Sequence, residues 1–293
     1  MAADSVQTTD MRSTRLVLAS ILLSPLALAQ AGSATKAVSG ALGVDFTTQY
    51  FLRGIQQEND GIIAQPWIEL RYGLYEGKDE LKNLNLTFGQ WNSLHSGPTG
   101  TGGGPNQSMW YESDFYIGLA GAVGDRWSFG ATYTSYYGPN GVRTNVEELA
   151  FSAGWDDKGI VNAFASGLQP GVVLAFELDG QMDGGAPGNT GIYAQFGIKP
   201  SFQFGQFTFD VPATVGVSLK DYYENPVTGE DDFLGFVDIG AVISLDIPNL
   251  PARMGPWHAE AGVHWLLLGD NNEDRNGGDA TELILSCGVR TTF

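Results

Sequence analysis

From Thr281 to Phe293 the chain alternates with a period of two. Leu283, Leu285, Cys287, Val289, Thr291 and Phe293 fall on one face of an extended strand, with Glu282, Ile284, Ser286, Gly288, Arg290 and Thr292 on the other. The first face is mostly apolar and the second mostly polar. The same dyad recurs in Trp257-Ala259-Ala261-Val263-Trp265-Leu267, in Phe233-Gly235-Val237-Ile239-Ala241-Ile243-Leu245 and in Phe207-Phe209-Val211-Ala213-Val215-Val217-Leu219. No sustained 3.6-residue pattern competes with it, so the chain reads as β structure.

Further candidate strands lie at 41–53, 62–75, 82–92, 109–121, 126–137, 146–155, 171–178 and 191–204, which brings the total to twelve. These runs reach or approach the roughly 9 to 11 residues that a tilted membrane-crossing strand needs. Forty glycines and 34 aromatic residues suit many strands joined by turns. Beyond the first 30 residues no apolar run approaches the roughly 18 residues of a spanning helix. Any membrane crossing must therefore use strands, which have to close because lipid offers no partner for a free edge.

The N-terminus carries the order of an export signal. Met11-Arg12-Ser13-Thr14-Arg15 is basic, Leu16 to Leu28 is mostly apolar, and Ala27-Leu28-Ala29 fits a small-x-small cleavage site. Met11 is the preferred start, and cleavage is expected after Ala29, with Ala31 as second choice. The expected organisation is a signal at 1–29, a periplasmic segment at 30–40 and one barrel domain at 41–293. Removing residues 1–29 leaves 13 basic and 31 acidic residues, a balance that makes nucleic acid a poor partner. The single cysteine, Cys287, excludes an internal disulfide.

These features predict a single all-β transmembrane antiparallel β-barrel of about twelve strands in an up-and-down meander. An even count puts both termini on one side, with longer polar loops at 54–61, 93–108, 138–145, 179–190, 220–232 and 269–279 on the other. The connections at 156–170 and 246–256 are longer than the usual periplasmic turn. Pro66, Pro200 and Pro212 lack the N–H that a closed ladder uses, and belong at strand ends or bulges.

Two stretches resemble known families. A final alternating strand that ends on Phe293 resembles the closing strand of bacterial outer-membrane proteins, in which the assembly machinery reads the terminal aromatic. Thr291 stands where a second aromatic is often found. The run Val44-Asp45-Phe46-Thr47-Thr48-Gln49-Tyr50-Phe51-Leu52-Arg53-Gly54-Ile55-Gln56-Gln57, followed by Gln65-Pro66-Trp67-Ile68-Glu69-Leu70, resembles the opening hairpin of the TorF porin family. That resemblance covers about a tenth of the mature chain. It implies an outer-membrane location in a Gram-negative cell, contact with membrane lipid and lipopolysaccharide, and transport of small solutes. In this register Tyr50 and Leu52 are expected to face lipid near the outer rim, and Gln49 and Arg53 the lumen; Arg53 either lines a path or pairs with a lumen carboxylate.

With the less apolar face taken as interior, the pore-lining candidates are Asp45, Gln49, Arg53, Glu69, Arg71, Glu112, Asp114, Glu148, Glu177, Lys199, Glu260, His264 and Arg290. Asp210, Asp238 and Glu282 add to the acidic side. Such a lumen favours cations, so passive passage of small hydrophilic solutes with a mild cation preference is expected, with no cofactor. A barrel plugged by its own charged networks, serving a structural or adhesive role, has the same lipid-facing pattern, and a secreted β-sandwich binding module is a further alternative. The oligomeric state and the solute are not legible.

No enzyme is expected. His95, His258 and His264 lack the His-x-Ser spacing of barrel lipases, although Ser93 precedes His95. His258, Glu260 and His264 share a strand face as a conceivable metal set, but lumen polar groups are the preferred reading and no metal is expected. Asp270-Asn271-Asn272-Glu273-Asp274 offers oxygen ligands in no defined calcium spacing and reads as a solvated acidic loop. The glycine-rich stretch Gly97 to Pro105 lacks the Lys-Ser/Thr pair of a phosphate cradle and reads as a flexible tract.

Overall fold

A computed structural model of the chain describes residues 38–160, 164–183, 189–248, 250 and 255–293. The export signal at 1–29 and most of the segment at 30–40 lie outside the described residues. The elements in chain order are β1 (Val38–Thr47), β2 (Tyr50–Leu52), β3 (Ile55–Glu58), β4 (Ile63–Glu76), β5 (Leu81–His95), β6 (Trp110–Val123), β7 (Trp127–Tyr137), β8 (Val146–Trp155) and β9 (Gly171–Asp179). They continue through β10 (Ile192–Ile198), β11 (Ser201–Phe204), β12 (Phe207–Asp210), β13 (Ala213–Lys220), β14 (Leu234–Asp246), β15 (Trp257–Leu268), a one-turn helix α1 (Asp270–Arg275) and β16 (Thr281–Thr292).

The sheet closes on itself. β1 pairs antiparallel with both β4 and β16, and β15 with both β14 and β16, so the sheet closes, with β11 alone among the named wall strands paired on one side only. β10 with β11, and β12 with β13, each form one interrupted stave, which gives a twelve-stave up-and-down barrel. Both interruptions fall at prolines, Pro200 and Pro212, whose missing N–H breaks the ladder. Their carbonyls still accept, from Val211 N–H at 3.0 Å and Gly240 N–H at 2.8 Å, which keeps the wall continuous. Pro66 stays within β4, but pairing with β5 skips from Ala64 to Trp67.

Residues alternate between two environments. Along β4, Gln65, Trp67, Glu69 and Arg71 are buried while Ile68, Leu70 and Tyr72 are exposed. The outward set continues around the wall through Phe46, Phe88, Phe115, Ile117, Phe129, Phe151, Phe196, Ile239, Trp265 and Leu285, all exposed. Charged and amide side chains occupy the inside. A molecule with apolar residues outside and carboxylates inside reverses the arrangement suited to water.

Both ends of the described chain share one rim, here the terminal rim; Phe293 exchanges backbone hydrogen bonds of 2.8 and 2.9 Å with Gly40. Its ring lies over Gly40, where a β-carbon would stand 2.4 Å from the ring edge. At the same rim the β8–β9 connection is ordered by Asp157, a buried carboxylate that accepts from the backbone N–H of Leu168 at 2.9 Å and Gln169 at 2.8 Å. Burial works against its ionisation, but these hydrogen bonds outweigh burial and lower its pKa below the ordinary carboxylate value. Its stabilisation is therefore complete above the ordinary carboxylate range and lost as pH falls through the lowered value. The expected result is a thermal-stability gap between the wild type and Asp157→Asn that is present at neutral pH and closes in acid, read by paired melting curves across pH.

Sequence and structure part company at the first strand. β1 ends at Thr47, and after Thr48, whose N–H still donates to the Leu285 carbonyl at 3.0 Å, residues 49–58 leave the wall. They turn inward, and β2 and β3 form a separate two-stranded hairpin inside the distal end of the barrel.

Candidate functional site: the closed distal lumen

The hairpin turns at Arg53-Gly54, between the paired residues Leu52 and Ile55. Both turn residues have positive φ, 53° and 82°, the arrangement of a type I′ turn. Glycine adopts this freely, whereas an arginine there is strained and persists only where its surroundings hold it. They do so closely. Arg53 Nη1 and Nη2 donate to the two carboxylate oxygens of Glu148 at 2.5 and 2.7 Å, and Nη1 also to Tyr222 Oη at 2.7 Å. The guanidinium carbon lies 4.3 Å from the Tyr193 ring centroid, and both partners of the ion pair are buried.

Around this pair the distal lumen is filled. Tyr50, Phe51, Leu52 and Ile55 from the hairpin join one buried cluster with Trp67, Trp91, Tyr136, Val146, Val173, Tyr193, Phe236, Leu266 and Ile284, which come from staves on every side. Tyr50 and Leu52 are therefore buried in the lumen, a correction to their expected lipid-facing positions. The physical reason is that a plug and a membrane both reward an apolar period-two face, so alternation alone cannot tell them apart. The loop after β13 also bends inward, and Tyr222 and Tyr223 stack edge-on with centroids 5.1 Å apart. Tyr223 Oη donates to the Arg53 carbonyl at 2.9 Å.

The other candidate lumen residues mostly form separate pairs. Trp67 Nε1 donates to Asp45 at 2.9 Å, Gln49 to Glu282 at 2.9 Å, and Arg71 bridges Glu69 at 2.8 Å. Tyr50 Oη donates to Glu112 at 2.9 Å, and Arg143 meets the same carboxylate. Glu177 accepts from the backbone N–H of Met182 and Gly191, capping the β9–β10 connection. Toward the terminal rim, Lys199 lies 3.5 Å from Asp210, and Arg290 bridges Glu260 at 2.7 Å. His264 pairs with Asp238 at 2.9 Å, and His258 with Asp246 at 2.7 Å. His258, Glu260 and His264 thus have three different partners and do not converge. Asp114 is the exception: it is fully buried, and neither carboxylate oxygen has a hydrogen-bond partner among the described residues.

Several participants were not foreseen. Arg143 and Tyr222 sit in segments that read as solvated loops, yet both reach into the lumen. The acidic run at 270–274 is a short helix, not a loop. Its Asn271 donates to the carbonyl of Tyr223 at 2.6 Å and Asn272 to that of Gly235 at 2.9 Å, and the neighbouring Arg275 meets the carbonyls of Asp183 and Glu224. These contacts tie three distal loops together over the plug. The glycine-rich tract is also folded: Gly100 and Gly102 both donate to the Gly97 carbonyl at 2.9 Å.

One network has the order of a hydrolase relay. Ser93 Oγ is 2.7 Å from His95 Nε2, His95 Nδ1 is 2.6 Å from Thr99 Oγ1, and Thr99 Oγ1 donates to Glu58 at 2.8 Å. Ser93 and His95 have no exposed surface, and Thr99 stands between histidine and carboxylate. With Ser93 and His95 sealed from solvent, the network's bonds pin the end of the β2–β3 segment to β5.

No family model and no curated protein matches the chain. Among solved structures it is similar to an outer membrane channel from Pseudomonas putida F1, at 13% identity and TM-score 0.49, with 88% of this chain and 95% of that one covered. It is similar also to the NanC porin, at 12% identity and TM-score 0.40 over 87% and 99% of the two chains. Outer membrane phospholipase A from Escherichia coli is comparable, at 12% identity and TM-score 0.43 over 86% and 92%. Likeness at this level carries no argument about activity. The closed ladder and the two-faced wall by themselves define a twelve-stave up-and-down antiparallel β-barrel with an apolar outer face.

Proposed function

We propose that this chain is an outer-membrane channel for small hydrophilic solutes whose distal mouth is shut by its own first inter-stave segment. The carrying observation is the strained Arg53 turn, held inside the lumen by a bidentate bond to the wall residue Glu148. A wall stripe of exposed Phe, Ile, Leu and Trp supports insertion in lipid, and the resemblance of Tyr50 to Gly54 to the TorF opening hairpin supports the porin class. The backbone pairing of Phe293 with Gly40 at the β1–β16 seam supports a role for Phe293 as a barrel-assembly signal. In this reading the terminal rim faces the periplasm and the acidic distal loops face lipopolysaccharide.

The interior acids outnumber the cations that meet them, which supports a cation preference once the path is open. A plugged structural barrel is the second reading, favoured by the completeness of the distal packing. Planar-bilayer recording separates the two. With residues 49–61 replaced by a short Gly-Ser turn, reproducible steps and a reversal potential on the cation side of a salt gradient are expected. Asp114→Asn in that background should move the reversal potential toward zero. An inserted but silent variant would favour the structural reading.

A further inference from the structure

A cavity of about 370 Å³ opens at the terminal rim between the β6–β7 turn and the β8–β9 connection, lined by Arg126, Trp127, Trp155, Asp156, Lys158 and Gln169 among others. This cavity plays no part in the closed distal lumen. Its outer wall is aromatic: Trp127 is half exposed, and its ring lies 6.2 Å from Trp155 and 6.1 Å from Phe129. Tryptophans in such girdles sit at headgroup depth.

The polar side of the cavity carries two cations. Arg126 Nη1 donates to the carbonyls of Asp156 at 2.7 Å and Lys158 at 3.2 Å, which holds the guanidinium across the connection. Its Nη2 and Nε, and the ammonium of Lys158, have no hydrogen-bond partner among the described residues. The nearby carboxylates divide into two kinds. Asp157 is buried and occupied by the N–H groups of Leu168 and Gln169, whereas Asp125 and Asp156 are exposed at the mouth. Asp125 lies 3.5 Å from the Lys82 ammonium, and Asp156 Oδ1 accepts the backbone N–H of Lys158 at 2.9 Å, while Asp156 Oδ2 has no partner among the described residues. A fixed guanidinium beside this exposed carboxylate matches a headgroup that bears both a phosphate and a primary ammonium. A purely anionic headgroup would leave Asp156 facing its negative charge.

We infer that this cavity binds a phosphoethanolamine-type glycerophospholipid, with the phosphate on Arg126 and Lys158, the ammonium on Asp156, and the acyl chains along Trp127. The inference rests on the membrane reading above. Native mass spectrometry of the purified full chain, released from micelles containing equal amounts of phosphatidylethanolamine, phosphatidylglycerol and phosphatidylcholine, tests it. The expected result is retention of phosphatidylethanolamine over the other two. Retention should fall at least about tenfold in Lys158→Ala and in Arg126→Ala, the factor implied by one lost charge-assisted hydrogen bond. Lys158 makes no side-chain bond that folding needs, so its variant reads binding alone.

Water-soluble glycerophosphoethanolamine should displace the lipid poorly; displacement at equal concentration would overturn a site built for lipid. Equal retention of all three lipids, or undiminished retention in Lys158→Ala, would overturn the inference and leave the membrane reading intact. A chain that remains monodisperse without detergent and retains no lipid would contradict the membrane reading itself.

Discussion

Arg53→Ala is expected to free the hairpin while leaving the barrel closed. Removing one partner of a buried, bidentate ion pair leaves the other charge without compensation, a loss of about 3 to 5 kcal/mol. Here the stranded group is Glu148, buried and, among the described residues, otherwise hydrogen-bonded only by Tyr136 Oη at 3.5 Å. The strained positive φ at residue 53 also loses the bonds that hold it. The loss falls on the hairpin because β2 and β3 pair only with each other and share no ladder with the twelve staves. Hydrogen exchange at the amides of Phe51 and Ile55 should quicken by about two to four orders of magnitude, with exchange in β5 and β6 unchanged. Arg53→Lys keeps the charge but not the fork, and should fall between the two. Unchanged protection in Arg53→Ala would mean that the apolar residues alone hold the plug.

The second large effect concerns the outer face. Ile239 lies in mid-β14, opposite Ala213 and Trp265, and is exposed. If it meets the hydrocarbon centre, Ile239→Arg should destabilise the inserted barrel by about 2 to 4 kcal/mol, whereas Phe204→Arg, beside the rim turn at Gly205, should cause about 0 to 1 kcal/mol. Urea unfolding in lipid vesicles measures both. Equal tolerance at the two positions would contradict a bilayer centred on this wall.

The staves were legible because each must satisfy lipid on one side and a charged interior on the other, which forces a strict period of two. At Pro200 and Pro212 the missing N–H pointed to strand ends or bulges, but the alternation of 191–204 and 207–219 runs through both prolines and hid the breaks. The fate of residues 49–58 was not legible. Tyr50 and Leu52 alternate as a wall strand would, and the difference lies in partners about 95 and 170 residues away, Glu148 and Tyr222, which no local pattern encodes. The same holds for Arg143, whose carboxylate partner Glu112 is on another stave. One local signal did point inward: Tyr222-Tyr223 is an aromatic pair in an otherwise acidic loop, and aromatic side chains in such a place need cover. Arg53 followed by Gly54 was a second, since this pair fits a two-residue hairpin as well as the end of a strand.

The central claim is that the segment after β1 lies inside the barrel, and thiol labelling of intact, outer-membrane-inserted protein tests it most directly. In a Cys287→Ser background, Leu52→Cys places a thiol at a hairpin position that is 2% exposed, and Val227→Cys one at a distal-loop position that is 91% exposed. A membrane-impermeant maleimide applied from outside should label position 227 rapidly and leave position 52 unlabelled until Arg53 is also replaced. Labelling of position 52 as fast as position 227 in the otherwise intact chain would contradict the inward hairpin.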